Sequence, residues 1–466
     1  MTAPTALDAP YAPPRILGPA YRTSTLGILL VTTLIAFEGM STGVVMPAVS
    51  LDLAAIDLYG WSFSAFLMAG LFVNVVAGLW SDRRGHALPF LLGMVVFVAG
   101  LGLAGAAETK EVFIAARAVQ GAGGGAVIVA IYVMIARVYE SAARPKIFAL
   151  ISAAWVVPSL IGPAVAGAVA ASVGWRWVFY GIVPLVVPAF VMLLPALRAR
   201  PGKDRDAPPP ATGPRSRPVL MTLAAAATAG GAGVLLYGVD RLHVALTLGL
   251  VALACGLAAL SAGLPRLLPS GALRLRRGLP TTVAMRGLLC GAFFGVNSYI
   301  PLVLHEVRGM SLEGAGLALT TGALGWSAGS YLQSRWQGDR VRLIRYGAAA
   351  VTLGVLLASL SALPAVTPWI AVPAWVIAGL GMGAGITSVN VTMLSQSPPQ
   401  EQGANSAALQ VSETLGSSLT IGIGGALINI IGHDDLGTGF LVICMSMALI
   451  AVFAVLASTR VTAPAV

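Results

Sequence analysis

The sequence has few charged and few chemically reactive side chains. Only 10% of its 466 residues are Asp, Glu, Lys or Arg, whereas 57% are hydrophobic, and the mean hydropathy is +0.86. This composition excludes a soluble protein of this length, which would need far more polar surface. It predicts an all-α membrane protein that spans the bilayer many times. The apolar segments run for about 20 residues, which is the length of a spanning helix and twice that of a barrel strand.

Reactive groups are equally scarce, and their scarcity argues against an enzyme. The chain has four His and three Cys, and Cys255, Cys290 and Cys444 lie in three different apolar segments with no paired spacing. We find no Ser/His/Asp set, no metal-ligand cluster and no phosphate-binding loop. We therefore expect no catalytic site, no metal and no cofactor.

Fourteen apolar runs, arranged as six, two and six, divide the chain. Two basic segments separate the groups, and the first contains three consecutive prolines, which is linker composition. The predicted organisation is a cytoplasmic tail (1–24), a six-helix bundle (25–197), a basic linker (198–218), two additional helices (219–264), a second basic linker (265–280), a second six-helix bundle (281–459) and a cytoplasmic tail (460–466).

The distribution of charge predicts the orientation in the membrane. The net charge is +10, but nearly all basic residues fall in alternate loops, and Arg286, near the start of the ninth run, is counted with them on the cytoplasmic side. Acidic residues such as Asp52, Asp57 and Glu108 occupy the opposite loops. Because short basic loops stay in the cytoplasm, we expect both termini there, in the inner membrane of a bacterium. This pattern favours a lipid bilayer over nucleic acid as the partner of the basic residues.

Three charged residues lie within apolar runs, where each costs about 2.5–3.5 kcal/mol near the bilayer centre. Glu38 in the first run is a candidate proton carrier, a counter-charge for a cationic substrate, or a neutral glutamate that packs helices. Arg117 in the fourth run must be paired, hydrated or close to the outer interface, because it keeps its charge. Glu413 in the thirteenth run either takes part in proton coupling or pairs with a basic loop.

Milder polar and aromatic residues in these runs could line a central cavity. Each of them could instead form a helix-to-helix hydrogen bond or face lipid. Aromatic rings and amides around a carboxylate suit a large amphipathic, cationic compound. The candidates for substrate binding are Asn74, Gln120, Tyr132, Trp155, Asn297, Tyr299, Trp326, Asn390 and Gln410.

Several short motifs carry a family resemblance. The loop G-L-W-S-D-R-R-G from Gly78 to Gly85 resembles the loop between helices 2 and 3 of the major facilitator superfamily. The run W-V-V-P-S-L-I-G-P-A-V-A-G from Trp155 to Gly167 resembles the antiporter segment of that superfamily, although Ala166 replaces a usual Gly. With R-A-V-Q-G at Arg117 and W-R-W-V-F after Gly174, the whole chain is similar to the fourteen-helix drug:proton antiporters.

The resemblance implies roles for the motif residues. A conformational latch at the inner helix ends would include Gly78, Asp82, Arg83, Arg84, Gly85, Arg137 and Glu140. The antiporter motif would comprise Pro158, Gly162, Pro163 and Gly167. Arg117 would tune the protonation of Glu38, and Glu413 would join them in proton coupling.

Together these features predict a monomeric transporter that uses the proton gradient to export hydrophobic or cationic drugs or metabolites by alternating access. One alternative is a dedicated exporter of an endogenous lipid, siderophore or antibiotic. Another is a membrane sensor that keeps the transporter fold without transport.

Overall fold

A computed structural model describes residues 16–19, 21–140, 143–198, 218–398 and 401–462. Most of the predicted tails and of the first linker lies outside these residues. Within them the structure is helical and contains fourteen long segments. These are α1 (Arg22–Asp52), α2 (Tyr59–Arg84), α3 (Ala87–Gly105), α4 (Lys110–Val138), α5 (Arg144–Val173), α6 (Arg176–Tyr180 with Val183–Arg198), α7 (Pro218–Arg241), α8 (Leu246–Leu267), α9 (Leu279–Asn297), α10 (Leu312–Ser334), α11 (Arg340–Ser359), α12 (Ala371–Gln396), α13 (Gln402–Ile431) and α14 (Leu436–Ala457).

Thirteen of these segments are long and apolar enough to cross a membrane. The remaining one, α10, is 23 residues long, which is also a spanning length. Its five Gly and its Ser and Thr residues lower its hydropathy. The predicted all-helical fold with two six-helix bundles and two additional helices is confirmed.

Glycines on α4 allow the amino-terminal bundle, α1–α6, to pack closely. A Cβ atom on Gly121 would lie 2.1 Å from the Phe66 carbonyl oxygen of α2, and one on Gly123 would lie 2.2 Å from the Phe97 nitrogen of α3. Any larger residue would push these helices apart. Small residues at such crossings are the usual means by which membrane helices associate, since apolar side chains gain little by leaving lipid.

The carboxyl-terminal bundle, α9–α14, follows the same rule. A Cβ atom on Gly379 of α12 would lie 2.1 Å from the Gly322 oxygen of α10, and one on Gly383 would lie 2.0 Å from the Trp326 oxygen. The additional helices α7 and α8 form an antiparallel hairpin joined at 242–245. This hairpin packs against α2 of the first bundle and α13 of the second.

The two ends of the molecule differ in charge, and we name them accordingly. The basic end contains the helix ends at Arg22, Arg84 and Arg198, and the acidic end contains Asp52 and Asp57. In the acidic half, the bundles meet along α2 with α13 and along α5 with α10.

The contact between α2 and the second bundle closes the acidic end of the molecule, and we name it the gate. The Tyr59 hydroxyl donates to the Ser298 carbonyl oxygen at 3.0 Å, and the Ser64 hydroxyl donates to the Ser418 carbonyl oxygen at 2.8 Å. Between these bonds, a Cβ atom on Gly60 would lie 2.8 Å from the Tyr299 hydroxyl oxygen. The backbones therefore touch in the gate, with no space for a larger residue.

Candidate functional site

Glu38 and Arg117 form an ion pair inside the amino-terminal bundle. Glu38 lies midway along α1 and Arg117 two turns into α4, and each is only 2% exposed. The Arg117 Nη1 atom donates to Glu38 Oε1, which also accepts a 2.9 Å hydrogen bond from the Thr42 hydroxyl. The structure thus brings together two of the predicted proton-coupling residues. Pairing compensates each charge, which neither helix could do alone.

The surroundings of Arg117 link this ion pair to α2. Its Nε atom donates to the Ser62 carbonyl oxygen at 3.1 Å, and its guanidinium lies 4.6 Å from the centre of the Phe66 ring. Its Nη1 atom also donates to Gln120 Oε1 at 2.5 Å. Because Ser62 lies between the gate residues Gly60 and Ser64, Arg117 connects Glu38 directly to a gate helix.

A second ion pair lies in the carboxyl-terminal bundle. The Nε and Nη2 atoms of Arg286 donate to Glu413 Oε2 at 2.9 and 2.6 Å, and Nη1 donates to Asn390 Oδ1. The side chains of Arg286 and Glu413 are 16% and 21% exposed, so this pair is more accessible than the first. The charge count placed Arg286 at the cytoplasmic face, but α9 begins at Leu279 and carries Arg286 two turns inside the helix.

Tyr132 of α4 is a residue of the amino-terminal bundle that lies near this second ion pair. Tyr132 is 46% exposed, and its hydroxyl lies within electrostatic range of both Glu413 and Arg286. Phe148 of α5 packs edge-on against it, with ring centres 5.7 Å apart. An exposed aromatic side chain within range of charges on the opposite bundle indicates open space between the bundles, on the basic side of the gate, and we name this space the cavity.

The other predicted substrate contacts do not form one cluster. Asn297 accepts a 2.9 Å hydrogen bond from Trp375, and Trp326 packs edge-on against Phe293. Tyr299 is completely buried in the gate, where its hydroxyl donates to the Ile421 carbonyl oxygen at 2.5 Å. The remaining positions are Gln120 beside Arg117, Asn74 on α2, Trp155 on α5, Asn390 beside Arg286 and exposed Gln410 on α13.

The predicted latch residues meet at the basic end of α2. Gly85 ends this helix with φ = +91°, a left-handed conformation that favours glycine. Arg137 of α4 donates to the Ser81 and Asp82 carbonyl oxygens at 3.0 and 3.4 Å. These contacts hold the α2–α3 turn to α4. Gly78 lies on the face of α2 toward Val129, Arg83 and Arg84 are exposed, and Glu140 follows α4.

The predicted antiporter motif lies on α5 between the two bundles. A Cβ atom on Gly162 would contact Phe37 of α1 at 3.5 Å, and one on Gly167 would lie 3.1 Å from the Glu313 backbone of α10. Pro158 and Pro163 are inside the same helix. The motif therefore lies where α5 contacts both α1, which carries Glu38, and the opposite bundle.

Sequence reasoning missed Arg286 although the chain contained the signal for it. An arginine seven residues beyond Leu279 is as far inside α9 as Arg117 is inside α4. The rule that made Arg117 a candidate applies equally to Arg286. The gate residue Tyr59 was missed because a tyrosine near a helix start is also typical of the membrane interface.

Comparison with known proteins agrees with this architecture. Residues 28–421 match the family model of the Major Facilitator Superfamily. A probable multidrug-efflux transporter of Mycobacterium tuberculosis is 26% identical over 404 residues, which cover 82% of this chain and 83% of that protein. The Bacillus subtilis multidrug transporter protein MdtP is 22% identical over 418 residues, covering 86% of this chain and 74% of the relative.

Solved structures show the same fold at low sequence identity. A bacterial homolog of the human lysosomal transporter Spinster, in an inward-facing and unoccupied conformation, aligns with a TM-score of 0.66 at 15% identity, over 96% of this chain and 100% of that one. A POT family transporter in complex with a thioalcohol-conjugated peptide aligns with a TM-score of 0.69 at 14% identity, over 94% and 97% of the chains.

The fold and the match across most of the chain define a multi-pass membrane transporter rather than an enzyme. The chain belongs to the Major Facilitator Superfamily. The predicted family is therefore confirmed.

Proposed function

We propose that this protein is a proton-coupled exporter of hydrophobic or cationic small molecules that works by alternating access. Its place is the bacterial cytoplasmic membrane, with the basic end and both termini in the cytoplasm. The basic loops support this orientation, and it makes the structure an inward-facing state with its outer gate closed. The multidrug-efflux names of the relatives support the substrate class.

The observation that carries the proposal is the buried ion pair between Glu38 and Arg117. A carboxylate that is 2% exposed and held by an arginine is expensive to keep in a membrane protein. Because Arg117 connects Glu38 to the gate helix α2, the charge of Glu38 can couple proton binding to gate opening. When the outer gate opens, a proton reaches Glu38, the neutral carboxyl releases Arg117, and the contacts of Arg117 with Ser62 and Phe66 change.

Substrate binds in the cavity on the other side of the gate, beside Arg286 and Glu413. A cationic group can replace the Arg286 guanidinium on Glu413, while Arg286 keeps Asn390 as an acceptor. The rings of Tyr132 and Phe148 provide apolar and cation-π contact for the rest of the molecule. Each proton that enters contributes about 2.3 kcal/mol per 100 mV of membrane potential to export.

Efflux of a fluorescent lipophilic cation from cells that express the protein tests this function. We expect efflux that a protonophore abolishes, and we expect Glu38→Gln to lose it at equal expression. Glu111→Gln, at an exposed acidic-end position of α4, is the matched control and should export normally. Absence of efflux of any compound from a panel of cations, lipids and siderophores, with folded protein present, would contradict the proposal and favour a sensor.

A further inference from the structure

The additional hairpin of α7 and α8 is a rigid unit in contact with both bundles. Glycines lock its two helices together: a Cβ atom on Gly238 would lie 2.7 Å from the Leu253 nitrogen, and one on Gly256 would lie 2.6 Å from the Leu235 nitrogen. Because α7 packs on both α2 and α13, it spans the gate from outside. Opening the gate must separate α2 from α13, so the hairpin has to leave one of them.

On the α13 side the contact is interlocked. A Cβ atom on Gly422 would lie 2.3 Å from Leu236 Cδ1, so the leucine fills a notch that only glycine leaves open. Near the acidic end, Asn429 Nδ2 donates to Asp240 Oδ1 at 2.6 Å. An interdigitated apolar contact and a charge-assisted hydrogen bond thus hold the same two helices together.

On the α2 side the contact is as extensive, but the side chains described there do not interlock. The nearest approach recorded for Gly233 of α7 is to the flexible thioether of Met68, whose sulfur would lie 3.6 Å from an added Cβ atom. Beside it lies an open apolar groove of about 440 Å³, which residues of α2, α4 and α7 line together. Small and flexible side chains line the groove, among them Ala65, Met68, Ala69, Ala118, Ala226 and Ala229.

The segment that connects α8 to α9 also attaches the hairpin to the carboxyl-terminal bundle. The turn from α8 to α9 is packed onto the carboxyl-terminal bundle, because Leu268 and Ala272 are buried and the Gly278 nitrogen donates to the Arg460 carbonyl oxygen at 2.9 Å. The hairpin therefore continues into α9 through an ordered segment that is itself fixed to the second bundle.

We propose that the hairpin moves as part of the carboxyl-terminal bundle, and that its face on α2 is a sliding surface. When the gate opens, α7 keeps α13 and withdraws from α2 along the apolar groove. The Asn429 side chain, which also donates to the Asp57 carbonyl oxygen at 2.8 Å, then keeps Asp240 and releases Asp57. This inference rests on the proposed alternating access.

Distances between spin labels at three exposed positions of the acidic end test the inference. Val112→Cys labels the start of α4, Val244→Cys labels the hairpin turn, and Ile430→Cys labels the end of α13, all in a Cys255→Ala background. The other two native cysteines are buried and do not compete for the label. Double electron-electron resonance gives the three pairwise distances in nanodiscs.

A bulky residue in the gate supplies the opening without any need for substrate. In Gly60→Trp the new side chain cannot fit against Tyr299 and Gly425, so α2 and α13 must separate. If this variant does not fold, Gly425→Trp introduces the same bulk from α13. We expect the 112–430 and 112–244 distances to lengthen together, while the 244–430 distance stays as in the wild type.

If the 112–430 and 244–430 distances lengthen while the 112–244 distance stays constant, the hairpin moves with the amino-terminal bundle. That result would overturn this inference alone. Distances that all stay unchanged in both folded variants would overturn the inference and the alternating-access proposal together. Because the 112–430 pair reports the gate independently, the two failures are distinguishable.

Discussion

Glu38 of α1 and Arg117 of α4 are hydrogen-bonded to each other in the interior of the amino-terminal bundle, 79 positions apart in the chain. Neither residue suits a spanning helix on its own. Among the described residues, the only polar link from Glu38 to α2 runs through the Arg117 guanidinium, which donates to the Ser62 carbonyl oxygen. A change in the charge of Glu38 is thereby felt by a helix of the gate.

The ion pair should behave as a coupled unit when its members are replaced. Arg117→Met leaves Glu38 buried without its cation, and we expect a loss of about 3–5 kcal/mol in the free energy of unfolding. The double variant Glu38→Gln with Arg117→Met should recover part of this loss, since it removes both charges. Thermal and denaturant unfolding of the purified proteins in detergent would give the cycle. A double variant as unstable as the sum of the single ones would show that the pair is not energetically coupled.

Gly121 should tolerate no side chain, because a Cβ atom there would lie 2.1 Å from the Phe66 carbonyl oxygen. Gly121→Ala must push α2 away from α4 and displace the Phe66 ring from Arg117. We expect a loss of about 1–3 kcal/mol, as for other overpacked sites. Gly102→Ala on α3, where nothing lies within 4 Å of the added atom, is the control and should be neutral or slightly stabilising. Equal melting temperatures of the two variants would contradict the close approach of α2 and α4.

The sequence predicts single charges in the membrane well, because the cost of each is local to its own helix. Glu38 and Arg117 stand out for this reason, whereas their pairing depends on how α1 packs beside α4. Arg286 was not identified as a site residue, because the positive-inside rule accounts for any basic residue near a helix end. The predicted run from residue 281 already contained Arg286, and α9, which begins at Leu279, places it two turns deep.

The role of an aromatic residue such as Tyr299 depends on which end of the molecule is closed. Its position in a spanning segment is equally compatible with a cavity wall and with a gate, and only the backbone contact of Gly60 with Gly425 decides between them. The hairpin of α7 and α8 has no motif at all. Its contacts with α2 and α13 follow from tertiary packing, so its place could not be predicted from apolar runs.

Loss of one gate hydrogen bond should favour opening of the acidic end. Tyr59→Phe removes the donor to the Ser298 carbonyl oxygen, and a hydrogen bond of about 0.5–1.5 kcal/mol corresponds to about a two- to tenfold shift in population. The alkylation rate of Ser62→Cys, which is buried on the gate helix, by a membrane-impermeant maleimide measures it. Tyr346→Phe on the exposed face of α11 is the control. An unchanged rate would mean that Tyr59 does not hold the gate.

His86 should make stability depend on pH. Burial lowers the pKa of His86, a bond to the Ala196 carbonyl oxygen partly opposes this, and the Arg137 charge lowers the pKa further. The folded protein therefore keeps His86 neutral, while the unfolded chain takes up a proton near pH 6.5. The stabilisation is complete above that pH and declines as the pH falls below it, by at most about 1.4 kcal/mol per pH unit.

Melting temperatures of the wild type and of His86→Asn between pH 5 and 8 check this sign. The variant should lose part of the decline at low pH, whereas His433→Asn, at an exposed position, should retain it. A wild-type protein that becomes more stable as the pH falls from 7 to 5, with His86→Asn unaffected, would refute the assignment.

The most direct test of the account is proton movement coupled to substrate in proteoliposomes that contain a pH-sensitive dye. Addition of a lipophilic cation to the wild-type protein should drive proton flux in the opposite direction, and Glu38→Gln should abolish this flux while Glu111→Gln preserves it. Substrate-driven proton flux in Glu38→Gln equal to that of the wild type would contradict the central role of the Glu38–Arg117 pair.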